Sequence, residues 1–495
     1  MTPVEPLPLF KFVGFTGHRH LADVSLIQRR LDETLRQLQQ RHSAAEWIAV
    51  SSVAEGADML FVQTALGQKL SWHAILPFSP VDFQRDFTPE GWLTAERLLT
   101  QAEEQFTVTG TNDRTEAYLD AGLETVDRAD VLIAVWDGAA ARGKGGTAEI
   151  ITYARELHRP LIIIDAKTGA VTEENFDRLR MDDPWIDAIN ALPPTGDAPE
   201  LTRPGEPPPA LIEFMRKADI AATQGAPQFR RLVGSTVLLH VAATLVAVAA
   251  LVYDWHWAGL PWIKLLCLLG ATGVAILLGW KHTHGHWLQQ RLVAEVCRSA
   301  ISAWGLPRSL DFLSRLPVGE LRPLVRSIGV LHQRGLRGPG FDLPHFKARY
   351  LEKRIVGQLN YDLRQESRSA PLWRRLRAAF WVATVLAIGS TAAYALSHTF
   401  HFAGVPVEFE ALVFKLLPIC LPVLAAGSIS FISINDLQRR VARYREMQAV
   451  LHHCRTQVAV THSWNSVAKA VSETEHALLN EVVEWHSIAR YSESH

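Results

Sequence analysis

Cysteine is scarce in this chain of 495 residues, which contains Cys267, Cys297, Cys420 and Cys454. No two of them form a C-x-x-C pair, so we expect neither a disulfide framework nor a metal site. An excess of basic charge is also lacking, because 50 Lys and Arg residues face 51 Asp and Glu residues and the net charge is −1. This balance argues against nucleic acid as a partner, since nucleic acid binding usually relies on a large basic surface.

The first ten residues lack the basic segment and apolar run of a signal peptide, so we expect the first domain to stay in the cytoplasm. Apolar runs of roughly 20 residues, the length that crosses a bilayer, occur only beyond residue 225. They cover residues 232–253, 260–280, 376–397 and 411–434. We predict four transmembrane helices in two hairpins. The alternative is four buried helices in a large soluble core.

Lys and Arg are absent from the two short loops inside these hairpins, residues 254–259 and 398–410. Basic residues flank the opposite helix ends instead: Arg230, Arg231, Lys281, Arg374, Arg375, Arg377, Arg439 and Arg440. Because basic flanks stay on the cytoplasmic side, both hairpin tips are predicted to lie outside. We therefore predict a multi-pass protein of the inner membrane, embedded in the lipid bilayer with both termini in the cytoplasm.

The two hairpins are similar in sequence. Ala-Pro-Gln-Phe-Arg-Arg-Leu at 226–232 matches Ala-Pro-Leu-Trp-Arg-Arg-Leu at 370–376, and Lys-Leu-Leu recurs at 264–266 and 415–417. Matches in the same order indicate an internal repeat. We predict a first hairpin unit over 226–335 and a second over 336–495, each with a cytoplasmic helical extension. The second extension is predicted as a C-terminal cytoplasmic helix or helix pair.

Two features of this half bear on assembly. Val441, Tyr444, Met447, Leu451 and Cys454 recur at helical spacing and form an apolar stripe, which predicts a partner helix and most simply a homo-oligomer. His240 lies near the middle of the first apolar run. An ionisable group at that depth either lines a pore or is satisfied, uncharged, by a neighbouring helix.

The N-terminal part alternates short apolar runs with helical patterns, which predicts an α/β domain with a parallel sheet over residues 10–170. The predicted strands are 12–15, 47–51, 73–77, 131–136 and 161–165. The predicted helices are 25–40, 57–66, 118–128 and 147–157. Residues 171–225, rich in Pro, Asp and Gly toward their middle, are predicted to form a linker.

Glycine-containing motifs follow three of the predicted strands, at the end where such sheets bind ligands. The candidate ligand-binding residues of the three motifs are Gly14, Thr16, Gly17, His18 and Arg19; Ser51, Glu55, Gly56 and Asp58; and Asp137, Gly138, Lys144, Gly145, Gly146, Thr147 and Glu149. Glycines allow close backbone approach, helix starts expose N–H groups to phosphate, and the basic residues attract anions. The alternatives are a plain turn for the first motif, a helix cap for Asp58 and a helix-dipole partner for Glu149.

The third motif also imitates a phosphate-binding P-loop, because Gly138 and Lys144 have the spacing G-x-x-x-x-G-K. A P-loop continues with Ser or Thr, which binds Mg²⁺, and Gly145 occupies that position. We therefore do not predict a P-loop ATPase.

Together the three motifs resemble the SLOG superfamily of Rossmann-like nucleotide-binding domains, which includes DprA-type and LOG-type proteins. The second motif is similar to the Ser-Gly-Gly-Ala-x-Gly-Ala-Asp-type loop, with Ser52 and Val53 in the glycine positions. The third resembles the Gly-Gly-Thr…Glu loop, with Glu149 one residue earlier than in LOG enzymes. The hairpins resemble SLATT domains, which are linked to bacterial conflict systems as predicted pore-forming effectors.

These resemblances imply a nucleotide or nucleotide-derived ligand, and they identify no further cofactor. The leading prediction is a sensor of a nucleotide-derived signal that is coupled to a membrane effector in bacterial defence. A second hypothesis is a membrane-tethered enzyme in which Glu149, the candidate catalytic residue, activates water at an N-glycosidic bond. A third is a structural membrane protein whose α/β domain only mediates assembly.

Overall fold

The computed structural model describes residues 4–108, 113–140, 144–196, 206–255, 257, 259–280, 283–308, 310–337, 342–400 and 406–493. The chain forms two compact units. The first, called here the α/β unit, comprises Met1–Pro193, Ala198–Phe214 and Val318–Pro339. The second, called here the helical unit, comprises Pro194–Asp197, Met215–Pro317 and Gly340–His495.

The α/β unit contains a seven-stranded sheet with the order β4-β3-β2-β1-β5-β6-β7. Its strands are β1 (Phe10–Gly17), β2 (Glu46–Ser51), β3 (Ser71–Leu76), β4 (Glu104–Thr107), β5 (Val131–Trp136), β6 (Leu161–Asp165) and β7 (Val171–Glu174). Neighbouring strands are parallel except β6 and β7, which are antiparallel. The predicted α/β domain is confirmed, and its sheet is parallel as predicted except for the antiparallel strand β7.

The helices of the N-terminal part are α1 (Val24–Arg41), α2 (Ala57–Gly67), α3 (Pro80–Phe83), α4 (Pro89–Leu99), α5 (Arg114–Arg128), α6 (Thr147–Glu156) and α7 (Pro184–Asn190). Side-chain caps start several of them: Asp23 accepts a hydrogen bond from the backbone nitrogen of Leu26 at 2.9 Å. The sequence prediction contained neither β4 and β7 nor the short helices α3, α4 and α7.

The remaining helices are α8 (Pro209–Val252), α9 (Leu260–Trp280), α10 (Thr283–Ser302), α11 (Asp311–Ser314), α12 (Arg322–Leu336), α13 (Leu343–Arg349), α14 (Gly357–Phe400), α15 (Val407–Phe409), α16 (Leu417–Ile434), α17 (Leu437–Val460) and α18 (Trp464–Glu493). π-Helical turns at Tyr350–Val356 and Glu410–Leu416 join α13 to α14 and α15 to α16. The segment 171–225, predicted as a linker, thus contains β7, α7 and the beginning of α8. Leu211 and Phe214 of α8 are buried, which explains why this segment is not an extended connection.

The two faces of the sheet are covered by helices from different parts of the chain. On one face, α1, α2 and α4 pack on β1, β2, β3, β5 and β6. On the other, α5 and α6 pack on β5 and β6. The rest of this second face is covered by α12, whose Val330 and Leu331 join a cluster with Phe10, Phe12 and Ile48. The sequence prediction had placed α12 at the end of the first hairpin unit.

Within the residues that the structure describes, three helices of the helical unit are long and apolar enough to cross a membrane: Leu232–Val252, Leu343–Phe400 and Val407–Ile434. A fourth apolar helix is shorter over its described part, Trp262–Val274. The first and third predicted spans continue without a break into helical extensions, since α8 and α14 are each 44 residues long. Large apolar side chains such as Leu266, Trp381 and Leu386 are exposed on these helices, as expected of a lipid-facing surface.

Small residues let the apolar helices approach closely. Ala383 and Ala387 of α14 pack against Leu421 and Ala425 of α16. A Cβ atom at Gly427 of α16 would lie 3.2 Å from a methyl group of Val241 in α8. Such small-residue contacts are typical of helices that associate in a membrane.

The stripe predicted on α17 is covered within the chain. Val441, Met447, Leu451 and Cys454 are buried, and α17 packs against α14 and α18. The stripe therefore has its partner helices in the same molecule, so the basis on which the sequence predicted an oligomer is wrong. The homo-oligomer itself stays a prediction.

Candidate functional site

The three glycine-containing motifs lie at the carboxyl ends of β1, β2 and β5, which are neighbours in the sheet. The strand order reverses at β1: β2, β3 and β4 follow on one side, and β5, β6 and β7 on the other. Ligands of open parallel sheets bind in the crevice at such a switch point. The structure therefore brings the predicted residues of all three motifs to one side of the sheet, the side formed by the carboxyl ends of the parallel strands.

Two glycines bring the first motif against the second. A Cβ atom at Gly17 would lie 2.6 Å from the Cβ of Ala57, and one at Gly56 would lie 2.1 Å from the carbonyl oxygen of Arg19. Gly56 also has a φ of +99°, which a residue with a side chain rarely adopts. The backbone nitrogen of Ala57 donates to the carbonyl oxygen of His18 at 3.1 Å. Larger residues at Gly17 or Gly56 would separate the two motifs.

His18 connects the first motif to the third. Its Nε2 lies 3.1 Å from Oδ1 of Asp137 and 3.1 Å from the backbone nitrogen of Asp137. Oδ1 of Asp137 also accepts a hydrogen bond from the backbone nitrogen of Ala139 at 3.1 Å, which shapes the turn at Gly138. The His18 ring was predicted to meet an anion, and in this structure it holds two strand ends together.

The loop after β2 is held closed by its own polar side chains. Ser52 Oγ donates to Oδ2 of the buried Asp58 at 2.6 Å, and burial raises the pKa of Asp58 to about 6. Val53 lies between Ser52 and Asp58 in sequence, is buried and has a φ of +56°. A β-branched residue in this left-handed region is strained. This strain is consistent with the glycine at the same position of the Ser-Gly-Gly-Ala-x-Gly-Ala-Asp-type loop that the second motif resembles. Ser51 Oγ is buried with no hydrogen-bond partner among the described residues.

Glu55, predicted to bind ligand, faces the beginning of α4. Its Oε1 accepts hydrogen bonds from the backbone nitrogen and the hydroxyl of Thr88 at 2.9 and 2.7 Å. Thr88 in turn caps α4 by accepting from the backbone nitrogen of Gly91 at 3.0 Å. Glu55 therefore fixes the segment that follows β3 beside the switch point.

The third motif forms a tight loop at the beginning of α6. Gly145 has a φ of +75°, and a Cβ atom there would lie 2.9 Å from the backbone nitrogen of Leu119. Its backbone nitrogen donates to Oε2 of Glu149 at 2.7 Å. Gly146 precedes the first helical residue, Thr147, which is buried. Residues 141–143 of this motif lie outside the described residues.

The aromatic rings of Tyr118 and Phe78 lie beside the first motif and were not predicted as part of the site. The guanidinium of Arg19 lies 5.1 Å from the ring centre of Tyr118, and the rings of Tyr118 and Phe78 meet edge-on at 5.7 Å. Tyr118 donates its hydroxyl hydrogen to Oδ2 of Asp86 at 2.6 Å, and its burial raises the pKa of that hydroxyl. The sequence prediction began the helix at Tyr118, whereas α5 begins at Arg114. This difference hid the fact that Tyr118 lies in the second turn and faces the motifs.

The geometry of this edge suits an anionic ligand. Both α2 and α6 begin there after a glycine cap that forms no side-chain hydrogen bond, and helix beginnings attract anions. Arg19 and Lys144 are exposed cations at the same edge. The half-buried rings of Tyr118 and Phe78 and the glycine-lined backbone form a surface that offers a planar group with a phosphate both stacking and charge.

The α/β unit and the apolar helices define a membrane protein with an additional α/β domain. Residues 213–305, which include most of α8 together with α9 and α10, match the family described as SMODS and SLOG-associating 2TM effector domain 3. This similarity indicates a membrane effector of an SMODS- or SLOG-associated system. No curated protein matches the chain.

Proposed function

We propose that the chain is a membrane effector controlled by a nucleotide-derived ligand, which binds at the carboxyl ends of β1, β2 and β5. The observation that carries this proposal is the convergence of three glycine-containing motifs at the switch point of a sheet, in the same chain as a two-transmembrane effector domain. In this proposal the α/β unit is a SLOG-type, Rossmann-like sensor. The effector responds because the ligand binds one state of the protein more tightly than another.

Sensing is favoured over hydrolysis by the position of Glu149. Its carboxylate accepts the N–H of Gly145 at 2.7 Å and so holds the loop at the beginning of α6. A general base needs an oxygen within hydrogen-bond reach of the attacking water. Nothing in the arrangement of Glu149 favours that role, so we assign this residue to the shape of the site.

The proposed topology has four transmembrane helices in two hairpins in the inner membrane, with both termini in the cytoplasm. It is supported by three apolar helices of sufficient length, by α9, and by the absence of Lys and Arg from residues 254–259 and 398–410. Residues 401–405 of the second loop lie outside the described residues. Reporter fusions at Gly259 and at the C-terminus test this topology, because a C-terminus outside the cytoplasm contradicts it.

We also propose that the effector acts as a homo-oligomer that changes membrane permeability. His240 is exposed on α8, about 12 Å along the helix from Leu232. Its Nδ1 lies 2.8 Å from the carbonyl oxygen of Thr236 in the same helix. A histidine exposed to lipid at this depth is unfavourable, whereas a second copy or a water-filled path would satisfy its remaining ring nitrogen. Four helices alone hardly enclose an aqueous path.

The sensor part of the proposal is tested with the full-length protein and one matched pair of variants. Native mass spectrometry identifies small molecules that purify with the wild-type protein, with Arg19→Ala and with Arg29→Ala. Arg19 lies at the candidate site, while Arg29 is exposed on α1 and serves as the control. We expect a nucleotide-type molecule with the wild type and Arg29→Ala and its loss with Arg19→Ala.

The effector part is tested in cells that contain a membrane-potential dye. Supplying the identified ligand should depolarise cells that express the wild type or Arg29→Ala, but not cells that express Arg19→Ala. If no nucleotide purifies with the protein, and calorimetry with linear nucleotides, cyclic nucleotides and ADP-ribose shows no heat, the sensor is disproved. If the ligand binds but potential is unchanged, the helices are an anchor.

A further inference from the structure

A cavity lies in the helical unit, outside the apolar spans. It has a volume of about 320 Å³ and is enclosed by α8, α10, α14, α17 and α18. Its lining residues on α8 precede the span that begins at Leu232, and those on α17 follow the span that ends at Ile434. Those on α14, residues 358–365, precede the apolar run 376–397 of that helix. The cavity therefore belongs to the helical extensions next to the membrane. Cavities of roughly this volume are at the lower end of the range of small-molecule sites.

Positive charge in this cavity is only partly neutralised. Three arginines line it: Arg291, Arg440 and Arg443. Arg443 forms an ion pair with Glu481, with Nε 3.0 Å from Oε1. Among the described residues neither Arg291 nor Arg440 has a carboxylate oxygen within 4.0 Å. Arg291 hydrogen-bonds with Tyr361 and interacts at longer range with Glu295 and Glu481, while Arg440 donates to the hydroxyl of Tyr444 at 3.3 Å. Neither guanidinium group is therefore held in a direct ion pair.

Most of the acidic residues in the lining already have a cation. Asp219 accepts a hydrogen bond from Arg298 at 2.7 Å, and Glu295 is paired with the same arginine. Asp219 and Glu295 therefore contribute little unpaired negative charge to the cavity. Asp362 is the acidic lining residue whose charge remains to be considered.

Asp362 is 2% exposed and lines the cavity. Its Oδ1 accepts from Gln358 at 3.1 Å, whereas Oδ2 has no hydrogen-bond partner among the described residues. Burial, together with the nearby charge of Glu481, raises the pKa of Asp362 to about 7. A carboxyl group that keeps its proton near neutral pH is a hydrogen-bond donor and does not cancel the charge of the arginines.

We propose that this cavity binds a small phosphate-bearing molecule. The planar guanidinium groups of Arg291 and Arg440 match phosphate oxygens, and the carboxyl group of Asp362 supplies an additional donor. The rings of Tyr361 and Tyr444 line the rest of the cavity and suit an organic group attached to the phosphate. The same chemistry is offered by a soluble phosphate ester and by a phospholipid headgroup. The site is separate from the one in the α/β unit and does not depend on the proposed function.

The experiment uses the full-length protein in nanodiscs of phosphatidylcholine. Binding of inorganic phosphate and of AMP is measured by calorimetry, and a second arm compares thermal unfolding with and without phosphatidic acid in the nanodisc. The variants are Arg291→Gln and Arg440→Gln, and Arg445→Gln is the matched control. Arg445 lies on the same helix as Arg440, pairs with Glu366 and does not line the cavity.

We expect at least one probe to bind, with affinity lowered about tenfold or more by Arg291→Gln and Arg440→Gln and unchanged by Arg445→Gln. Binding of a soluble probe indicates a soluble phosphate ester, and stabilisation only by phosphatidic acid indicates a lipid headgroup. Asp362→Asn should lower the affinity by less than the arginine variants. If no probe binds, if the arginine variants bind like the control, or if only Asp362→Asn abolishes binding, the proposal is wrong. If Arg19→Ala is the only variant that loses binding, the probe binds in the α/β unit and the proposed cavity site is wrong.

Discussion

The helix α12 covers part of the sheet in the α/β unit, and its contribution to stability is measurable. Val330 is buried in the cluster with Phe10 and Phe12. Arg326 pairs with Asp130, donates to the carbonyl oxygen of Arg128 at 3.1 Å and lies 4.6 Å from the ring centre of Phe12. We therefore predict that Val330→Ala and Arg326→Ala each destabilise the α/β unit even though both positions lie far from its strands in sequence.

The magnitude follows from what each change removes. Val330→Ala deletes two methyl groups at about 0.8 kcal/mol each and leaves a small cavity, so we expect a loss of about 2 kcal/mol. Arg326→Ala leaves the partly buried Asp130 without this cation, which costs about 1–3 kcal/mol. For a unit of this size, each kcal/mol lowers the melting temperature by roughly 2–4 °C.

The assay uses residues 1–214 joined by a flexible linker to residues 318–337, followed by circular dichroism during heating. Arg322→Ala is the control, because Arg322 is exposed at the beginning of α12, and it should change the stability by less than about 0.5 kcal/mol. Residues 1–214 alone should bind the dye ANS through the uncovered face. The reasoning is refuted if that fragment is stable without dye binding, or if Val330→Ala and Arg326→Ala both leave the melting temperature unchanged.

Two further predictions concern buried charges. Asp58 has a folded pKa near 6 against about 4 when unfolded, so the folded chain holds its proton more tightly and stability falls as pH rises through this window. Asp58→Asn should therefore raise the free energy of unfolding at pH 8 by on the order of 2–3 kcal/mol. In urea unfolding experiments the variant's free energy of unfolding should also depend less on pH between about pH 4 and 7. An unchanged dependence on pH contradicts this prediction. In the helical unit, Arg354 donates to the fully buried Glu475 at 2.6 Å. Arg354→Met should cost about 3–5 kcal/mol because it leaves an unpaired buried charge, while Arg354→Met combined with Glu475→Leu should recover most of the loss in thermal unfolding of the detergent-solubilised chain.

The strands with continuous apolar runs were predictable from sequence. Val131–Trp136 and Leu161–Asp165 have the predicted bounds, because both strands are central and buried on both faces. Strands β4 and β7 were missed because Glu104–Thr107 and Val171–Glu174 are short, polar edge strands without an apolar pattern. A local pattern also does not identify the partner of an amphipathic helix, which is why α12 was not assigned to the sheet.

The candidate site was predictable to the level of the strand ends but not of individual contacts. Glycine-containing motifs after β1, β2 and β5 must meet if the strands are neighbours and parallel. The bridge between His18 and Asp137, the use of Glu149 to bind Gly145, and the position of Tyr118 depend on side-chain directions and on the phase of α5. None of these follows from the spacing of residues in the chain.

The position of α12 in the chain also has a consequence for biosynthesis. The ribosome completes residue 193 long before residue 336, and the first hairpin is made in between. At roughly 5–20 residues per second, synthesis of the 143 residues from 193 to 336 takes about 7–30 s. During this time the sheet face around Phe10 and Phe12 is not covered by α12. The α/β unit therefore finishes folding only after α8 and α9 have been synthesised. A chain stalled before α12 would expose this apolar face.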